Sequence, residues 1–150
     1  KMLGDDLKVL AAGYDQVLID LGAGVEQTVQ NLTRSAGQVI VVVTDEPTSL
    51  TDAYAFIKVT QTEIPGMGFQ VVANIVNSMR EGERTYNTLL KACEAFLKIS
   101  PPLLGIIRRD AKVPEAIRSQ TSILTRSPNS EAACDVEKIA KKLLIPGIRS

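Results

Sequence analysis

Short apolar runs rich in valine and isoleucine recur along the chain, separated by longer stretches whose apolar positions fall every three or four residues. The runs at Val17–Ile19, Val39–Val43, Val71–Val76 and Leu103–Ile107 put apolar side chains on both faces of an extended backbone. That pattern predicts strands of a parallel sheet covered on both sides, since a half-solvated sheet would alternate. Between them the helical period predicts helices at about 25–36, 48–63, 80–99 and 130–144, with another at 2–12 leading into the first strand. Strand and helix in this alternation are the signature of right-handed βαβ units. The expected fold is α/β: a partial, mostly parallel doubly wound sheet flanked by helices.

Punctuation agrees with this rhythm. Thr48 or Ser49 is the expected cap of the second helix. Pro65, Gly66 and Gly68 break the chain before the third strand, and Pro101 and Pro102 stop the long helix before the fourth. Ser127-Pro128-Asn129-Ser130 is a loop opening the last helix. No repeat or linker interrupts residues 1–150, which read as one unit. The first strand starts so early that the opening segment reads as the end of a larger arrangement.

Bulk composition narrows the chemistry. The chain has 150 residues, 45% apolar and 23% charged, enough for a real core. Basic and acidic residues balance at 17 each, which argues against a whole-surface nucleic-acid binder. No apolar run reaches the ~18 residues of a membrane span. No signal-peptide pattern opens the chain. Cys93 and Cys134 lie far apart and histidine is absent, so a structural zinc site is not expected, and no Ser-His or Cys-His nucleophile pair can form. The cysteines are expected to be buried reduced thiols in a cytosolic protein.

The richest chemistry lies in Tyr14-Asp15-Gln16-Val17-Leu18-Ile19-Asp20-Leu21-Gly22-Ala23-Gly24. A buried strand here would end in Asp20, at the carboxyl edge where open α/β sheets gather ligands. A carboxylate at that edge can hold magnesium directly or through water. Gly22 and Gly24 would let backbone N–H groups approach a terminal phosphate, with the helix starting near Val25 adding its positive end. The bland alternative is that Asp20 caps that helix and the glycines make a tight turn. A dinucleotide-binding loop is set aside, because Gly22-Ala23-Gly24 is followed by Val25, Glu26 and Gln27 without the third glycine. No Gly-x-x-x-x-Gly-Lys-Ser/Thr phosphate loop occurs in the chain.

Residues 14–24 resemble the switch II segment of the MinD/ParA ATPases, an apolar strand followed by Asp-x-x-Ala-Gly. Val41-Val42-Val43-Thr44-Asp45 leads into Glu46-Pro47-Thr48-Ser49-Leu50-Thr51-Asp52-Ala53-Tyr54, a run that resembles the bacterial flagellar-number regulators FlhG and FleN within the MinD branch. The resemblance continues through Val72–Val76, Gly105–Asp110 and Ser127–Leu143 and covers nearly the whole chain. It implies that residues 1–150 are the C-terminal portion of a MinD-like domain, from switch II to the final helix.

By position, the resemblance implies a role for Asp20 near the magnesium and attacking water, and for Gly22 and Gly24 as backbone that senses the γ-phosphate. It implies that Asn74 contacts the adenine base, where an amide can both donate and accept. Asn74 satisfying backbone groups at a strand end is the other reading. Ile107-Arg108-Arg109-Asp110 occupies the place of a Val-Pro-x-Asp segment flanking the base. Arg108 replaces the proline, and it reads equally as a purine-stacking guanidinium or a solvated charge. Leu50 and Tyr54 would lie near the face where two subunits meet, or pack partly in the core.

The resemblance implies ATP and Mg2+ as cofactors of the intact protein, with none bound tightly by this part alone, which is expected to be inactive without the phosphate loop. It implies a regulator of flagellar number or placement that dimerises around ATP. Its implied partners are a signal-recognition-type GTPase, switch-ring components or a transcriptional regulator, with no direct nucleic acid. Localisation would be cytoplasmic, peripheral at the inner membrane through elements outside this stretch. In the last helix Lys138, Lys141 and Lys142 read as a solvated face more than as a membrane-surface helix. A non-catalytic interaction module that has lost nucleotide binding is the alternative function.

Overall fold

Gln38–Val43 (β1), Gly68–Val76 (β2) and Leu103–Arg108 (β3) pair in that order, all parallel. The structure is a computed structural model and describes residues 9–144. The β1–β2 register runs from Gln38 opposite Gly68 to Val43 opposite Ala73. Helices Gln27–Thr33 (α1), Pro47–Glu63 (α2), Met79–Ala92 (α3), Lys112–Arg118 (α4), Ile123–Arg126 (α5) and Glu131–Leu144 (α6) surround the strands.

β2 is buried along most of its length, whereas β1 is covered on one face only, with Val41 and Val43 buried and Val42 between them 56% exposed. On one face Val41, Val43, Phe69 and Val71 meet Ala53 and Ile57 of α2, with Leu89 and Cys93 at the end of α3. Close packing depends on two glycines. A Cβ on Gly82 of α3 would overlap the Ile106 side chain, and one on Gly105 would overlap Ile139 of α6. Since Gly105 and Ile106 point to opposite faces of β3, α3 and α6 sandwich that strand.

Local chemistry starts and stops the helices. Pro47 sits in the first turn of α2 after an extended Glu46, and no side chain caps that end. Neither Thr48 nor Ser49 is the cap; Ser49 Oγ instead accepts the Thr44 N–H at 3.0 Å and ties the end of β1 to the helix. At α3, Ser78 Oγ accepts the Glu81 N–H at 3.1 Å and Glu81 Oε2 accepts the Asn77 N–H at 2.8 Å. The Ser78 bond satisfies one donor that helix geometry would orphan, and Glu81 reaches back one residue beyond the cap to hold the chain entering the helix. The same helix continues through one π turn, Cys93–Leu97, and ends where Lys98 turns left-handed. Tyr86 Oη then donates to Pro101 O at 2.8 Å, fixing the connection into β3.

Two further expectations are corrected. Val17–Ile19 belongs to no strand; these residues are 42%, 76% and 39% exposed in an extended segment with no strand alongside among the described residues. A strand is made by its ladder, and an apolar run cannot supply its own partner. Between β3 and α6 lie α4 and α5, two short helices that the periodicity does not predict. Cys134 is only partly buried, whereas Cys93 is buried, and both are free thiols. The helix expected at 2–12 lies mostly outside the described residues, with 9–11 helical.

The two sheet edges differ. On β3, the outward Arg108 N–H donates to Asp135 Oδ2 at 3.1 Å and Leu104 O accepts from Lys142 Nζ at 2.9 Å, so α6 closes that edge. Among the described residues nothing closes β1 in this way, and Val42 is 56% exposed.

Candidate functional site

The carboxyl ends of β2 and β3 bring three of the sequence-derived site residues onto one rim. Asn74 lies opposite Ile107 and Val76 opposite Arg108, and the Arg109 N–H donates to Val76 O at 2.7 Å. Ile75 drops out of this ladder. It is a bulge residue with φ 56°, a left-handed conformation costing a β-branched side chain about 1–3 kcal/mol. Its N–H donates to Asn74 Oδ1 at 2.9 Å.

Arg108 is held from three directions. Nε donates to Asp135 Oδ2 at 2.9 Å, Nη2 to Asp135 Oδ1 at 3.0 Å, and Nη1 to Glu131 Oε1 at 2.6 Å. Asp135 is buried at 2% exposure. Burial pushes its carboxyl up, and the Arg108 side chain and backbone N–H more than offset this, leaving it below the usual carboxylate value. The same hydrogen bonds from Asp135 hold the Arg108 guanidinium above its ordinary value. Arg108 is therefore tied into the fold and no freely solvated charge: three of its five N–H donors go to Asp135 and Glu131, and its side chain is 24% exposed. Sequence reading missed Asp135 and Glu131. The signal was present: two acids four apart in the predicted last helix share one face of its first turns.

Asp110 fastens two helices. Its Oδ1 accepts the Lys112 N–H at 2.9 Å and its Oδ2 the Ala132 N–H at 3.1 Å. The Lys112 N–H first, then that of Ala132, keep its carboxyl below the usual range. Between the 109–112 turn and the 127–131 loop lies an open cleft of about 580 Å³, with Arg109, Asp110 and Asn129 in its wall. Asn74 is not part of that wall.

Asp20, Gly22 and Gly24 sit on a separate stretch. Asp20 is exposed, Gly24 has φ 133°, and open space lies where a Cβ at Gly22 or Gly24 would stand. A phosphate could approach this backbone without obstruction. Nearby, Gln16 Nε2 donates to Leu143 O, tying the segment to the end of α6. Among the described residues no three His, Cys, Asp or Glu side chains are placed to hold a metal together. An ion at Asp20 would complete its shell with water and phosphate oxygens, the way magnesium is usually held. Leu50 and Tyr54 are half-buried and pack against the core beneath α2.

The family model described as cellulose biosynthesis protein BcsQ matches residues 1–144. The chain belongs to that family. This BcsQ family member is 34% identical over 134 residues to the antiactivator FleN of Pseudomonas aeruginosa, covering 89% of the chain and 48% of FleN. Against the flagellum site-determining protein YlxH of Helicobacter pylori it is 26% identical over 140 residues, 93% of the chain and 47% of YlxH. Its fold matches MinD of Aquifex aeolicus in a MinC:MinD complex, with TM-score 0.77, 18% identity, and 94% and 57% of the two chains covered. It also matches MinD of Pyrococcus horikoshii complexed with Mg-ADP, with TM-score 0.76, 22% identity, and 99% and 58% covered. These likenesses show that the family member has the fold of MinD and is similar in sequence, over most of its length, to FleN and YlxH. The chain spans about half the length of the curated relatives it matches.

Proposed function

We propose that this chain is the base-reading and switch-bearing part of a MinD-like regulatory ATPase that controls flagellar number or placement. The reading is carried by one observation: β2 and β3 end side by side across the Ile75 bulge, setting Asn74 beside the Arg108–Asp110 turn at the carboxyl rim of a parallel sheet. Open α/β sheets bind ligands at that rim. Asn74 would contact the adenine, with Arg108 offering a guanidinium face and Asp110 holding the turn in place. Asp20 would hold Mg2+ through its carboxylate or a bound water, while Gly22 and Gly24 meet the γ-phosphate through backbone N–H groups. When bound, the ion would neutralise developing phosphate charge. The chain itself holds no phosphate-loop motif.

The flagellar assignment is supported by the likeness to an antiactivator and to a flagellum site-determining protein. Partner choice would follow nucleotide state, through a dimer whose contacts include the exposed parts of Leu50 and Tyr54. A transcriptional regulator or a signal-recognition-type GTPase fits such a switch. No described helix is long and apolar enough to cross a membrane; attachment at the inner membrane, if the intact protein uses it, would be peripheral.

Calorimetric titration of Mg-ATP into the full-length protein and its Asp20→Ala and Asn74→Ala variants tests this. Asn74→Ala should weaken binding about tenfold, whereas Asp20→Ala should abolish turnover with smaller loss of affinity. A full-length protein that ignores Mg-ATP would instead favour a non-catalytic interaction module, the reading supported by the tethering of Arg108 to Asp135 and Glu131.

A further inference from the structure

Asn74 and Ile75 form a unit that the site description leaves without a purpose. A β-branched residue at φ 56° is out of place on steric grounds, yet the backbone on its far side is clamped. Val76 O takes the Arg109 N–H, and the Asn77 N–H is taken by Glu81 Oε2. These bonds hold the chain that follows the bulge, the kind of surrounding support a strained backbone needs to persist.

The consequence falls on Asn74. In a regular ladder the Ile75 N–H would point along the sheet; here it points at Asn74 Oδ1, 2.9 Å away. The amide cannot be turned over, since Nδ2–H2 would then face another donor. Its carbonyl side is therefore committed to backbone, and Nδ2 has no partner among the described residues.

Resting on the nucleotide reading above, we infer that Ile75 is a positioning residue: its left-handed backbone locks the Asn74 amide so that Nδ2–H2 is presented as a donor to an acceptor nitrogen of the purine ring. Asn74 then works mainly as a donor, and a ligand lacking an acceptor at that point is refused. The Ile75 side chain makes no contribution of its own beyond tolerating the conformation, which is why its replacement can be informative.

The test is calorimetric titration of Mg-ATP into full-length variants, with melting temperature followed by circular dichroism. Ile75→Gly and Ile75→Asn accept positive φ readily, so they should melt higher and keep affinity within about twofold. Ile75→Pro forces φ to about −65° and deletes the N–H, so affinity should fall about tenfold or more. Asn74→Asp keeps an oxygen for the Ile75 N–H and loses both donors; it should melt within a few degrees of wild type yet bind about tenfold more weakly. Should Ile75→Pro fail to fold, Asn74→Asp decides alone. Wild-type affinity in a folded Ile75→Pro overturns the lock while leaving the nucleotide site standing, whereas wild-type affinity in Asn74→Asp overturns both the lock and the adenine contact of Asn74. Absence of Mg-ATP binding by the wild type overturns both.

Discussion

Arg108 and Asp135, 27 residues apart, close on each other through two parallel side-chain hydrogen bonds of 2.9 and 3.0 Å, and the Arg108 backbone N–H adds a third at 3.1 Å. The pair joins the last strand to the last helix and seals the β3 edge. Its members are unequal: the Asp135 side chain is 1% exposed and that of Arg108 24%.

That inequality orders two substitutions. Arg108→Leu strands a carboxylate away from water, the costly way to break a buried pair. Asp135→Leu leaves a guanidinium that still reaches solvent and Glu131. Arg108→Leu should therefore melt lower than Asp135→Leu, by about 4 °C or more. Thermal melts by circular dichroism check this, and equal or reversed melting points would show that the pair does not hold α6 in place.

Acid should act through the same region. Asp110, held by the Lys112 and Ala132 N–H groups, and Asp135, where the Arg108 bonds outweigh burial, both sit below their ordinary values in the folded chain. The folded state thus binds fewer protons than the unfolded one as pH falls. The stability they contribute is complete above the unfolded carboxylate value of about 3.9 and is lost as pH drops through the lower folded values. Urea midpoints should hold steady from about pH 7 to 5 and fall below about pH 4. Asp110→Asn should start lower at neutral pH and lose less on acidification; an acid limb identical to wild type would remove Asp110 from this account.

Gly105→Ala should destabilise by about 1–3 kcal/mol, because its Cβ would enter space held by Ile139. Trimming the obstacle in Gly105→Ala/Ile139→Ala should recover part of the loss relative to the sum of the single changes. Strict additivity in denaturant unfolding would mean that the two residues do not touch.

The open β1 edge gives the isolated 150-residue chain a route to self-association. Val42→Lys places a charge on that strand, a common protection for sheet edges. Sedimentation should show the variant shifted towards monomer relative to wild type. An unchanged distribution would move the contact elsewhere, with Leu50 and Tyr54 next to be tested.

Much of the architecture was readable along the chain. Three apolar runs became parallel strands within a few residues of their expected limits, because burial leaves a strand few polar positions. The Pro101-Pro102 stop and the Ser127–Ser130 loop fell where proline and small polar residues demand a break. What the sequence could not show was pairing: Val17–Ile19 has strand composition but no strand beside it among the described residues. The short helices α4 and α5 escaped notice because seven and four residues are too few to set up a period.

The sequence by itself determined the fold class, the family, and the residue types available to a nucleotide site, since hydrophobic period and motif spacing are properties of the chain. Only the tertiary structure decided what those residues do to one another. It bound Arg108 to an acid 27 positions away, made Asp110 a tether between two helices, and committed the Asn74 amide oxygen to the Ile75 N–H. Each of these depends on strand register and helix packing, which bring together groups that no local pattern relates.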